Sequence, residues 1–497
     1  MPTRLIDVGH DVSDVPRLVL SSDINKTQRM KYAALSYCWG SEKDAGSQSK
    51  TEKASLERRC LSLPSQLMTP ITNDAIALVR AIGIRYLWID ALCIIQDDEE
   101  DWLHESSQMD LVYRHAFVTF CSINSNSCHE SFLNRGPAVS IPFQSTIRKD
   151  IKGSFLIRLR SRTGDYLDRG SYAWDLALSQ WDERCWTFQE KEMSTRLLMF
   201  GSLRMHFACA RRKWSEGDEA PSDRYQSTTG VSDMITRFRD KHISSLGLYK
   251  YWDWLVSQYG HRSVTYGRDR LPAIAGLARM IGEALQDRYL AGLWQGDLYY
   301  GLHWSSSSHE LSRGLEAHIR HIRERDYVAP SWSWAACLDV LPTIPDDGCM
   351  LEESVILHAH TDASSDDPYG RVSGGFLRIR GKIAPMPHWF LKDEGIHWSC
   401  YWFHFFTAPF DDSICVVTDW LHKDREAGLE NVVVMPLLRI ENEDGAKAPT
   451  LRALLLHPAD EMQNYYRVGV VDSEGYEGYK EMRTWFENSQ EETICII

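Results

Sequence analysis

The chain reads as an α/β protein that continues into a mixed α+β region, and three segments carry that reading. Tyr32-Ala-Ala-Leu-Ser-Tyr-Cys-Trp-Gly40 is an apolar strand pattern running into Ser36, Tyr37, Trp39 and Gly40. Thr69 to Gly83 has a helix start at Thr69-Pro70, an apolar stripe of Ile71, Ala75, Leu78 and Ile82, and a glycine stop. Tyr86 to Ile95 is nearly continuous in hydrophobic residues apart from Asp90, the pattern of a strand covered on both faces, as parallel strands are. Helix followed by buried strand predicts an α/β layer.

The following segments continue the alternation. The acidic run Asp97-Asp-Glu-Glu-Asp101 precedes Trp102, Met109, Val112, Tyr113 and Ala116 at helical spacing, so its charge falls at a helix N-terminus rather than around a metal. Phe117 to Ser122 is the next strand, and Asn124 to Gly136 is a loop. Residues 137 to 175, irregular and rich in Arg, Ser and Gly, read as an insertion within the same domain. Asp182 to Ser194 reads as a helix and Arg196 to Phe200 as a strand, with Trp186, Glu190 and Met193 on one helix face. This order predicts a parallel sheet with helices on both faces. Beyond residue 215 the pattern changes. Helices are expected at 248–256 and 271–281, and strands at 376–383, 414–417, 432–440, 451–456 and 466–471, giving a first domain over 1–214 and a second region over 215–497.

At 497 residues the chain is long enough for two or three cores. Its 43% hydrophobic and 25% charged residues are those of a globular protein, and no apolar run approaches the roughly 18 residues a membrane span needs. The start reaches Asp7 without the apolar core of a secretory signal, so a cytoplasmic location is expected. The twelve cysteines include no C-x-x-C pair and read as reduced core residues. A net charge of −14 argues against a nucleic-acid surface, although Arg211-Arg212-Lys213 makes a local basic patch.

A strand ending in a small hydroxyl, two aromatics and a glycine places polar and stacking groups at a sheet rim, where α/β folds bind ligands. Ser36, Tyr37, Trp39 and Gly40 are therefore candidate binding residues, together with Asp90, an acid interrupting an apolar strand. A buried acid needs partners in either case, and Asp90 reads more readily as a structural carboxylate than as a ligand contact. Glu190 borders the apolar stripe of its helix, with Arg184 and Arg196 as candidate ion-pair partners. Cys93 lies within the strand pattern and has no evident histidine partner, so nucleophilic chemistry is not expected of it. His318-x-x-His321 and His358-x-His360 lack a further ligand at zinc-site spacing, and no metal site is expected. Neither of the glycine-rich phosphate signatures occurs.

Three blocks in fixed order, Ala34-Leu-Ser-Tyr-Cys-Trp-Gly40, Tyr86 to Asp97 and Arg184-Cys-Trp-Thr-Phe-Gln-Glu190, resemble the HET domain of the fungal heterokaryon incompatibility family. Asp101-Trp102, Met109 and Tyr113 stand between the second and third blocks as that pattern expects, and the resemblance covers residues 32–201. It implies a TIR/flavodoxin-like, doubly wound, mostly parallel sheet. Ser36-Tyr-Cys-Trp39 looks like the end of a TIR first strand, and Trp186-x-x-x-Glu190 is similar in spacing to a TIR helix motif.

The resemblance further implies an intracellular effector of nonself recognition that triggers cell death or growth arrest. NAD, NADP or a related nucleotide would be a substrate rather than a cofactor, with Glu190 as the catalytic carboxylate. Ser36, Tyr37, Trp39, Gly40, Asp90 and Trp186 would form the nucleotide site. Other incompatibility proteins or further copies of the chain are the expected partners. The alternative is a module that signals through partners with no turnover, which the Trp- and Tyr-dense region past residue 215 also fits.

Overall fold

The structure is a computed structural model that describes residues 1–24, 30–134, 139–157, 171–202, 204–210, 212–217, 230–306, 314–337, 340–342, 348–364, 367–386, 414–419, 429–441, 448–460, 463–473 and 475–497. The chain divides into two compact units, Met1–Asp233 and Met234–Ile497.

The first unit runs β1 (Arg4–Asp7), β2 (Arg17–Leu20), β3 (Tyr32–Ser36), α1 (Glu42–Ser47), α2 (Leu56–Leu61), α3 (Pro70–Ala81), β4 (Tyr86–Trp88), α4 (Asp90–Cys93), α5 (Glu99–Ser107), α6 (Met109–His115) and β5 (Val118–Cys121). It continues with β6 (Val139–Gln144), β7 (Lys152–Ile157), α7 (Ser171–Ala177), α8 (Cys185–Met193), β8 (Arg196–Phe200), β9 (Met205–Cys209) and β10 (Lys213–Ser215). Eight strands form one sheet in the order β10-β9-β8-β5-β3-β4-β1-β2. Only the centre is parallel, β3 pairing with β4 and β5, and β5 with β8. Both flanks are antiparallel, so the sheet is mixed where a mostly parallel one was expected. For β1–β2 and β8–β9–β10 the reason is local, short connections returning the chain antiparallel, whereas the helices between β3, β4, β5 and β8 supply crossovers; β1 also lies antiparallel to β4.

All five residues of β3 are buried, which suits a strand paired on both edges. The strand expected over Tyr86–Ile95 stops at Trp88; Asp90–Cys93 turns into α4, and Asp90 Oδ1 accepts the Ala91 N–H at 2.7 Å. The single helix expected after the acidic run is two, α5 and α6, divided at Gln108. Asp98 caps α5 by accepting from the Glu100 and Asp101 amides, so that acid does sit at a helix N-terminus. Arg4 of β1 ties this stretch down, donating through Nε to the Cys93 carbonyl at 2.7 Å and through a terminal nitrogen to Asp101 at 2.5 Å, with Glu105 3.6 Å away.

Within the stretch read as an insertion, β6 and β7 make a separate antiparallel hairpin, and residues 158–170 lie outside the described residues. Arg211 of the basic patch does too. At the other side of the main sheet a buried polar string joins α7 to the edge strands: His206 shares hydrogen bonds of 2.8 Å with Asp175 and with Ser215, its cross-strand partner. Asp175 also accepts the Arg204 amide at 3.2 Å, so the string braces the β8–β9 turn.

The second unit is β-rich after two helices, Ser245–Tyr259 and Ala275–Leu285. Its principal sheet orders the strands Cys349–Glu352, Val433–Glu441, Thr450–Pro458, Asn464–Ser473, Glu491–Ile496, Val372–Lys382 and Val355–Ala363. The helix Gly475–Trp485 connects the one parallel pair, and its Met482 joins Val434, Leu451, Leu455 and Val468 in a buried cluster. Arg467 is buried here, bonded to Asp419 at 2.6 Å and centred 3.5 Å from the Trp304 ring. The stacked rings of His358 and His360 lie 6.2 Å apart, and His360 bonds Asp362 at 2.9 Å. Each described cysteine of the chain is a free thiol.

Candidate functional site

The strand order makes β3 the point where the chain changes direction across the sheet, with β4 on one side and β5 on the other. Crevices outside the carboxyl ends of strands at such a reversal are where open α/β sheets bind ligands. Ser36 is the last residue of β3, in register with Cys121 of β5, and Asp90 follows the end of β4 by two residues.

Glu190 reaches this end from α8. That helix begins after Arg184, and Thr187 Oγ1 donates to the carbonyls of Trp181 and Arg184 at 2.5 and 2.9 Å, which sets the first turn. At its other end Ser194 Oγ donates to the Glu190 carbonyl and shares a 2.7 Å bond with Thr119 of β5, so the helix is pinned to the sheet. The Glu190 carboxylate meets the Ser36 hydroxyl through Oε2, and Ser36 Oγ in turn accepts the indole N–H of Trp181 at 2.7 Å. Tyr113 of α6 lies beside Glu190 as well and donates to the Leu35 carbonyl at 3.3 Å. Arg184 donates to the Tyr37 carbonyl at 2.6 Å, which places a guanidinium over the same strand end.

A second carboxylate lies near enough for its charge to act on the first. Asp90 accepts the Trp39 indole N–H at 2.9 Å in addition to the Ala91 amide, and Tyr37 lies within hydrogen-bond reach of it. The Tyr37 hydroxyl also meets the buried Gln48 amide at 3.0 Å. Trp39 is half-buried, and Lys50 holds its ammonium 5.0 Å from the centre of the indole ring. Gly40 turns the chain away into α1 with φ +91°, and a Cβ there would come within 2.7 Å of the Asp44 carboxylate. That carboxylate belongs to the capping box of α1.

Two acids held close in a dry place do not ionise like acids in water. Burial pushes Glu190 up to about 7, with the charge of Asp90 adding to the rise; the hydrogen bonds from Ser36 and Tyr113 and the charge of Arg184 oppose it. Asp90 keeps part of its surface open, but its carboxyl group is closely surrounded, and that burial raises it against the Ala91 amide, the Arg184 charge and the Trp39 and Tyr37 donors. Near neutral pH Glu190 is divided between its protonated and ionised forms, which suits a carboxylate asked to stabilise developing positive charge and to accept a proton.

The structure thus brings Ser36, Tyr37, Trp39, Asp90 and Glu190 to one strand end. Trp186 stands apart. One turn from Glu190 on α8, its ring turns to α5 and meets Trp102 edge-on at 6.3 Å. Arg196, one candidate partner of Glu190, instead lies over the Phe117 ring and donates to the Phe117 carbonyl. Trp181, Gln48 and Lys50 were invisible as neighbours of the site: each is an ordinary residue in its own segment and arrives only through tertiary packing. Nothing in the sequence marks them.

The α/β unit thus carries two buried carboxylates at the carboxyl ends of its parallel strands, the place where open sheets commonly bind ligands. Residues 32–190, about a third of the chain, match the family model described as heterokaryon incompatibility protein (HET). The chain carries a HET domain over that segment, and the match implies a role in heterokaryon incompatibility. No match was found among curated proteins or among solved structures. Among the described residues no helix is long and apolar enough to cross a membrane.

Proposed function

We propose that the HET segment is a TIR-like NAD glycohydrolase, and that loss of NAD causes the cell death or growth arrest of an incompatibility reaction. The observation that supports this best is the Glu190 carboxylate bonded to Ser36 at the end of β3 with Asp90 beside it. In the reaction the bond between ribose C1′ and the nicotinamide nitrogen breaks, its electron pair going to the ring, which leaves as neutral nicotinamide and needs no proton. The sugar becomes oxocarbenium-like, and a nearby carboxylate stabilises that charge. Water forms the new bond at C1′ and gives up one proton to Glu190 or to solvent, so the products are nicotinamide, ADP-ribose and a proton. Trp39 offers a stacking face, and Asp90 an acceptor for a ribose hydroxyl.

Nicotinamide release from NAD by the purified chain tests the reading. Glu190→Ala should lower the rate about 100-fold or more. Absence of release from wild-type protein shown to be self-associated would refute the enzymatic reading.

A second reading is favoured by one observation: Glu190 is only 7% exposed and Ser36 1%. In that reading the carboxylate holds α8 on the sheet, and the domain acts through partners. Glu190→Ala, if folded, would then leave the incompatibility response intact.

A further inference from the structure

Trp181 contributes more than bulk to its surroundings. The residue is fully buried among Cys38, Cys121, Leu176 and Met199, and its indole N–H is spent on one acceptor, Ser36 Oγ, at 2.7 Å. An indole nitrogen can donate and cannot accept. Ser36 Oγ must therefore accept from Trp181, and its one proton remains for its other neighbour, Glu190 Oε2. Were Glu190 instead to donate from Oε2, the serine hydrogen would be left in a buried place without an acceptor, at the usual cost of an unmade bond. Tyr113 is the other hydroxyl near Glu190, and its single proton is shared with the Leu35 carbonyl.

We propose that Trp181 is a positioning residue, which locks the Ser36 hydroxyl so that its proton points at Glu190 Oε2. Its catalytic consequence rests on the hydrolase reading above, whereas the relay itself does not. Glu190 is faced by Asp90 of α4, Arg184 before α8, Tyr113 of α6, and the thiols of Cys38 and Cys121. Of the groups near Glu190, Trp181 is the one that donates to Ser36 Oγ.

The test is a titration of Glu190 in the full chain by infrared difference spectroscopy, its carboxyl band being the one absent from Glu190→Gln. Trp181→Phe keeps an aromatic in the core but removes the donor, so the freed serine rotor holds the carboxylate less well. The midpoint should rise by about half a unit or more, roughly a threefold gain in proton affinity, in the same direction as Ser36→Ala. On the Ser36→Ala background Trp181→Phe should add nothing, because the relay is already cut. Trp181→Leu serves in place of Phe if that variant does not fold. A midpoint unchanged from wild type, or a shift that persists without Ser36, overturns the proposal. The acid limb of kcat/KM for NAD should move with the band. If the band moves while NAD is not consumed, the relay stands and the hydrolase reading falls; if NAD is consumed and the band stays, the reverse holds.

Discussion

Glu190 makes the folded state sensitive to pH in a defined direction. A carboxyl whose folded pKa of about 7 stands above its ordinary 4.5 binds its proton more tightly when folded. It therefore adds stability fully below about 4.5 and loses that contribution as pH rises through 7. Relative to Glu190→Gln, which cannot titrate, the wild type should lose about 3 kcal/mol between pH 4.5 and 8, measured by urea denaturation at both pH values. Asp90 is raised too and acts with the same sign, but it is present in both proteins. Gly40 is the other residue whose identity the backbone demands. Gly40→Ala puts a Cβ at positive φ and against Asp44, so it should cost about 2 kcal/mol and lower the midpoint of thermal unfolding without changing the helical signal.

Between elements, Arg4 is the clearest fastener, since β1 otherwise has no charged link to the α4–α5 stretch that follows Asp90. Arg4→Met leaves Glu105 and Asp101 without their cation and should destabilise the protein by about 3 kcal/mol, again by urea denaturation. The elements most legible in the sequence were those with local signals: α3, whose Thr-Pro start and glycine stop bracket Pro70–Ala81, and β8, whose apolar run Arg196–Phe200 is bounded by turn residues. The strand at Tyr86 read too long because Ala91, Leu92 and Cys93 are apolar in a buried helical turn as much as in a strand, and periodicity cannot separate the two over so few residues. The flanking strands β1, β2, β9 and β10 carry Arg, Asp, His and Lys among their apolar positions, which hides them from a hydrophobic pattern. Ser36 and Glu190 could be singled out separately, but their contact spans 154 positions, and nothing local marks Trp181 as the donor to Ser36.

For the whole molecule, each unit has its own sheet and buried cluster, so residues 1–233 expressed alone should show mixed α/β circular dichroism and a cooperative urea transition; a molten, non-cooperative fragment would contradict that. Arg467 anchors the other unit, and Arg467→Ala should cost about 4 kcal/mol by leaving Asp419 buried and unpaired. The central position of β3 also bears on how the protein is made. Its partners β4 and β5 begin at Tyr86 and Val118, long after Tyr32 has left the ribosome. At ~5–20 residues per second, an apolar strand waits on the order of ten seconds with both edges open. The strand that ends in the site is thus open to aggregation during synthesis, and added chaperone should raise the amount of folded protein a cell yields.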